Sequence, residues 1–136
     1  MYASIADMIE RFGETEIVEL TDLEHTGEVV VDVAERALAD ATAEIDGYLA
    51  ARYRLPVTDT PRVLSLLCTD IARYRLQKGV TTDQARQRYE DAISNLKQIS
   101  RGEINLPLAA PPPASAEPMV SPGRARVFDD DTMRGY

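Results

Sequence analysis

One cysteine, one histidine and two lysines are all that this 136-residue chain holds of those residue types, and each shortage closes off some chemistry. Cys68 stands alone, so no intrachain disulfide can form, and its apolar helical surroundings predict a buried thiol in a reducing compartment. His25 as the single histidine excludes a His-rich zinc site and a two-histidine metal helix. Beside Glu24 and Thr26 in a polar stretch, it reads as an exposed loop residue. A Cys–His nucleophile pair is disfavoured because Cys68 falls in the middle of an apolar helix pattern. The seven glycines are scattered singly, which leaves no phosphate-cradling loop. No window approaches the roughly 20 apolar residues of a membrane span. The opening Met-Tyr-Ala-Ser-Ile-Ala-Asp carries an acid at position 7 and no apolar run, unlike a signal peptide.

Acidic residues dominate the charge. The formal net charge is -8 and the sequence pI is near 4.6, which argues against a polyphosphate partner held on a broad basic face. Apart from Lys78 and Lys97 the basic residues are all arginine, whose donor fork suits directional protein contacts, although arginine-rich genomes give the same bias. Carboxylates one helical turn apart, such as Asp40 and Glu44, suggest metal binding or acid–base work only if a pocket gathers them; a solvated helix face is the simpler reading. The Asp129–Asp131 run has the composition of a metal loop without its spacing. No catalytic, cofactor-binding or metal-binding residues emerge, and nothing points to an enzyme.

The body, residues 1–106, reads as all-α: a small bundle of three main helices plus one or two short N-terminal helices. Ser4 with Asp7 predicts an N-cap, Ile5, Met8, Ile9 and Phe12 give a short apolar side, and Gly13 a stop. Glu14–Leu20 predicts a second short turn or helix, and Thr21–Val31 a loop. Asp32 is expected to cap a helix from Val33 to about Tyr53, with Ala34, Leu38, Ala41, Ile45 and Leu49, extended by Arg52 or Tyr53, recurring along one face. Its alanines allow close approach of a partner helix, and Gly47 suggests a tight contact that offsets its helix cost of ~1 kcal/mol. Glu35, Arg36, Asp40 and Glu44 read as its solvated face. Arg54-Leu55-Pro56 is expected to end that helix. Thr60-Pro61 predicts a cap and first helical residue for Arg62–Gln77, whose wide apolar coverage marks a central helix. Thr82 caps a last helix over Asp83–Arg101, and Ile104–Leu106 suggests a short extended segment.

The tail differs in kind. Residues 107–122 form a Pro/Ala-rich linker which, in polyproline geometry at about 3.1 Å per residue, reaches on the order of 50 Å. Residues 123–136 read as a docking arm. In Arg124-Ala125-Arg126-Val127-Phe128 the alternation suits a β-strand added to a partner's sheet edge. Phe128, Met133 and Tyr136 are its apolar anchors, with Asp129–Asp131 and Arg134 supplying charge selectivity.

Several segments carry a family resemblance: Met1–Gly13, Ile45-Asp46-Gly47-Tyr48-Leu49 with Arg52-Tyr53-Arg54-Leu55-Pro56, Leu67–Tyr74, and the closing Arg126-Val127-Phe128 and Met133-Arg134-Gly135-Tyr136. Together these resemble the Mu-like bacteriophage neck protein family, related to head-tail connector adaptors. The resemblance implies a virion component of the head-tail neck, assembled in the host cytoplasm. It implies a homo-oligomeric ring, commonly of twelve subunits, docked beneath the portal protein and followed by a stopper or tail-side neck protein. DNA passes through the axial channel without sequence-specific binding, and no membrane is involved. Carried onto this chain, Arg126, Val127, Phe128, Met133, Arg134 and Tyr136 become portal-contact candidates, and Arg124, on the same strand side as Arg126 and Phe128, joins them as a partner-binding residue. Asp46, Gly47, Tyr48, Arg52, Tyr53 and Pro56 form a helix-end motif. The alternatives are a head-completion or stopper protein, and a small non-phage regulatory module with a tethered peptide.

Overall fold

A computed structural model gives the fold of the chain and describes residues 1–77, 79 and 81–108. Among these, five helices form the whole regular structure: α1 (Ile5–Phe12), α2 (Glu14–Thr21), α3 (Val31–Leu49), α4 (Arg62–Leu76) and α5 (Asp83–Ser100). The all-α expectation holds. The first helix starts as its sequence predicts: the Ser4 side chain accepts from the Asp7 N–H while the Asp7 carboxylate accepts from the Ser4 N–H, a reciprocal capping box.

Helix α4 touches each of the other four helices, in keeping with its broad apolar coverage. Leu64, Leu67, Cys68, Ile71 and Ala72 are buried along it, and Ala37, Leu38, Ala41, Ile45 and Leu49 of α3 share the same core. Each fully buried Leu or Ile contributes roughly 1.5–3 kcal/mol through area removed from water. The small alanines at 34, 37 and 41 let α3 lie close to its neighbours. Ala92, Leu96 and Ile99 bring α5 onto the same core. The N-terminus is tied down as well: Tyr2 and Ala3 are buried against α3, where the Tyr2 N–H donates to Thr42 Oγ1 at 3.3 Å.

The boundaries differ from expectation in four places. Helix α3 starts at Val31 from an N-cap at Val30 without a side-chain cap, so Asp32 lies inside the first turn, where its charge still favours the positive helix end. The start is fixed instead by Thr21, whose Oγ1 accepts from the Val30 N–H at 3.1 Å and donates to the Ile17 carbonyl at 2.8 Å. The same helix stops at Leu49, short of Tyr53; the Arg52 and Tyr53 N–H groups both return to the Leu49 carbonyl at 2.9 Å, which closes the turn. Pro61, rather than Thr60, occupies the N-cap of α4. Ile104–Leu106 is not a strand: the segment follows a glycine turn and inserts Leu106 into the core.

That turn is well defined. Gly102 has φ of +83°, its N–H donates to the Ile99 carbonyl at 3.1 Å, and the Glu103 N–H donates to the Gln98 carbonyl at 2.9 Å. This is the paired hydrogen bonding of a Schellman ending, which needs the left-handed conformation glycine adopts at least cost.

Candidate functional site

The helix-end motif and the root of the C-terminal segment meet at one end of the bundle. Where α3 ends, Tyr53 turns back so that its hydroxyl accepts the backbone N–H of Leu106 at 3.0 Å. Arg52 lies over the Tyr53 ring with its guanidinium carbon 5.8 Å from the centroid, and its Nη1 donates to Asn105 Oδ1 at 3.3 Å. A Cβ placed on Gly102 would sit 2.6 Å from Arg52 Nη1, so the guanidinium occupies the space that the missing side chain leaves. Leu106 is buried and Leu108 packs against the core. The segment after α5 is therefore anchored on the α3–α4 turn through residue 108, two residues into the stretch that composition assigns to the linker.

The remaining motif residues divide into three settings. Asp46 accepts a short hydrogen bond from the Tyr2 hydroxyl, linking α3 to the N-terminus. Burial, reinforced by that carboxylate, raises the Tyr2 phenol above its ordinary range. Tyr48 lies along a groove of ≈ 340 Å³ between α3 and α5, together with Glu44, Tyr89 and Ile93. Gly47 has nothing within 4 Å of the position a Cβ would take, so no close packing contact explains it, contrary to expectation. Pro56 is exposed and follows a cis peptide bond from Leu55. Of the partner-binding set, Arg124, Arg126, Val127, Phe128, Met133, Arg134 and Tyr136 all lie outside the described residues.

Two charged clusters emerge only in three dimensions. Arg11 Nη1 donates to the Leu66 carbonyl at 3.0 Å, to Thr69 Oγ1 at 2.7 Å and to Asp70 Oδ1 at 2.9 Å, stitching α1 to α4. Arg73 clasps Glu16 of α2 with two nitrogens, at 2.6 and 3.2 Å, and lies 4.5 Å from the Phe12 ring centroid. Burial pushes the Asp70 carboxyl up, against the opposing pull of Arg11 and Arg88. The second cluster centres on Glu44, which accepts from Arg75 at 2.6 Å and from the Tyr89 hydroxyl at 3.1 Å. Tyr89 stacks on Tyr74 at 4.1 Å between centroids. Glu44 is thus half-buried and engaged rather than part of a free solvated face, whereas Glu35, Arg36 and Asp40 are exposed. Both clusters are closed by ion pairs and packed aromatics, which suits holding helices together. Cys68 is fully buried, its thiol raised by burial, and His25 is exposed in the α2–α3 loop, 43 positions away in sequence. No group of three or more His, Cys, Asp or Glu among the described residues is placed to hold a metal ion.

A small helical bundle whose outgoing chain is pinned to an inter-helix turn is a scaffold with an appended segment. The chain belongs to the family described as Bacteriophage Mu, Gp36, whose profile matches residues 2–121. It is similar to the Mu-like prophage FluMu protein gp36 of Haemophilus influenzae, with 38% identity over 109 residues covering 80% of this chain and 77% of that protein. It is likewise similar to Gene product J of Escherichia phage Mu, with 37% identity over 117 residues covering 85% and 83% respectively. The profile match takes in the helix-end motif and ends at residue 121, before the arm at 123–136.

Proposed function

We propose that the chain is a structural head-tail connector adaptor of a Mu-like phage or prophage: a ring subunit that docks under the portal and extends the DNA channel into the neck. Membership of the bacteriophage Mu gp36 family carries the reading, through relatives from phage Mu and a Mu-like prophage that align along most of their length. The helical body supplies the ring and the C-terminal segment the hold. The latch of Leu106 to Tyr53 supports that division, because it gives the segment a fixed point of departure from the body. Around a ring, individually weak arms gain strength through effective concentration. The negative net charge suits a channel through which DNA slides, since attractive phosphate contacts would retard it. A channel lined with arginine would overturn that last point.

The test is capture of the full-length chain by purified portal, with and without residues 123–136. The adaptor reading expects binding that falls sharply on deletion while the body stays folded. Unchanged binding overturns the arm's role. Absence of portal binding by the full-length chain, with capture by a tail-side neck protein, assigns it to the stopper position instead.

A further inference from the structure

The charge of the chain is divided along its length: residues 1–49 hold thirteen Asp and Glu against two Arg, a formal -11, while residues 50–136 hold ten against thirteen Lys and Arg, a formal +3. The fold turns this division into a polarity of the body. Helix α3 is 19 residues long, about 28 Å, and separates two loops of opposite character. At its N-terminal end, the loop after α2 exposes Glu24 and Glu28, with Asp32 and Glu35 following in α3. Leu23 and Val31 stand among these acids, 69% and 52% exposed. Beside them runs a groove of ≈ 310 Å³ lined by Leu20, Leu23, Val33 and Leu76. At the C-terminal end, the loop after α3 exposes Arg52 and Arg54, α4 begins with exposed Arg62, and Val63 beside it is 37% exposed. Arg36 and the Arg86–Asp83 pair at the start of α5 on the acidic end, and Asp59 and Glu103 on the basic end, reduce the contrast without reversing it. Glu24, Glu28, Arg54 and Arg62 take part in none of the ion pairs among the described residues.

We propose that these two ends are the two halves of one contact between copies of this chain: the Leu23/Val31 end of one copy receives the Arg54/Arg62/Val63 end of the next. Each end has exposed apolar side chains beside a rim in which one charge sign predominates, the layout of a protein–protein interface, and the two rims are opposite in net sign. Like ends repel, which disfavours a two-fold dimer. Opposite ends give a head-to-tail contact that closes into a ring if the rotation per subunit allows. The proposal rests on the ring of the adaptor reading and adds which surfaces build it.

Two reversed variants test it, Glu24→Arg/Glu28→Arg and Arg54→Glu/Arg62→Glu, all four sites being exposed and each variant checked for native helicity. In the first both ends are basic; in the second both are acidic. Sedimentation equilibrium is expected to show self-association of each variant weakened roughly ten-fold or more relative to wild type. An equimolar mixture regains it, because the acidic variant then alternates with the basic one. Thr58 is exposed between Arg54 and Arg62, so a Leu23→Cys/Thr58→Cys chain treated with a short bis-maleimide is expected to give a ladder of covalent oligomers, and each single variant at most dimers. Self-association unaltered by both reversals, or lost and not regained on mixing, overturns the proposal. So does a wild-type chain that stays monomeric at its highest soluble concentration, although portal capture is then still free to succeed. Conversely, a head-to-tail ladder without portal capture would sustain the contact and remove the adaptor role.

Discussion

The Leu106 backbone N–H donates to the Tyr53 hydroxyl at 3.0 Å, joining the segment after α5 to the turn after α3 across 53 positions of sequence. Buried Leu106 and the Arg52–Asn105 hydrogen bond flank this latch. Tyr53→Phe keeps the ring packing and removes the acceptor, so it is expected to cost about 1 kcal/mol. Hydrogen exchange at the Leu106 amide should accelerate while the centres of α3 and α4 keep their protection. An unchanged Leu106 amide would mean the latch does not hold the segment.

Glycine substitutions separate conformation from packing. Gly102→Ala places a side chain at φ of +83° and a Cβ against Arg52, and is expected to destabilise the fold by about 1–2 kcal/mol. Gly47→Ala meets open space in a helix interior and is expected to stabilise by about 1 kcal/mol. That corresponds to a rise in Tm of about 4–8 °C for a body of this size. Thermal melts of the two variants should therefore move in opposite directions.

The Arg11–Asp70 pair is a third point of leverage. Arg11→Met leaves a largely buried carboxylate without its nearest cation and is expected to cost about 2 kcal/mol, less than a fully buried pair because both side chains keep some solvent contact. Burial already raises the Asp70 carboxyl, and losing Arg11 raises it further. A carboxyl whose folded pKa lies above its unfolded value favours the folded state once protonated. The gap between variant and wild type should therefore narrow as pH falls from neutral through the raised pKa toward the ordinary carboxylate value of about 4. Paired denaturation curves at several pH values check this; a gap independent of pH would contradict it.

Tyr2 and Asp22 carry opposite pH signatures. The raised Tyr2 phenol stabilises the fold below its unfolded pKa of about 10, a contribution lost as pH rises through the folded value. Tyr2→Phe is expected to cost about 1 kcal/mol at neutral pH, and that cost should vanish in strong alkali. At Asp22 the N–H groups of Thr26 and Gly27 hold the carboxyl below its ordinary range, aided by the Thr26 hydroxyl. Its contribution is present above the unfolded pKa and lost as pH falls through the folded one. In an acid titration followed by NMR, the Thr26 and Gly27 amides should shift together below the ordinary aspartate range.

The local signals were legible in the sequence. Ser4 with Asp7, Thr82 before Asp83, and the Leu38–Ala41–Ile45–Leu49 stripe each act over a turn or two, and the fold contains all of them. Features set by partners distant in sequence were not. The helical spacing of α3 can be extended to Arg52 or Tyr53, yet the helix ends at Leu49 and Tyr53 turns back to meet Leu106, 53 positions away. Its start is set by Thr21, a residue of the preceding helix, rather than by the nearer Asp32. The Arg11–Asp70 and Arg73–Glu16 pairs span 59 and 57 positions, and no spacing rule brings them together. The helix-end motif was legible as a cluster, but its attachment to the root of the C-terminal segment required the fold.

Cryo-electron microscopy of the assembled particle neck tests the central claim most directly. The connector reading predicts copies of this helical bundle in a closed ring immediately below the portal, with residues 123–136 of each copy lying on portal density. Absence of the bundle from the neck, or its placement away from the portal with no ring between head and tail, would contradict it.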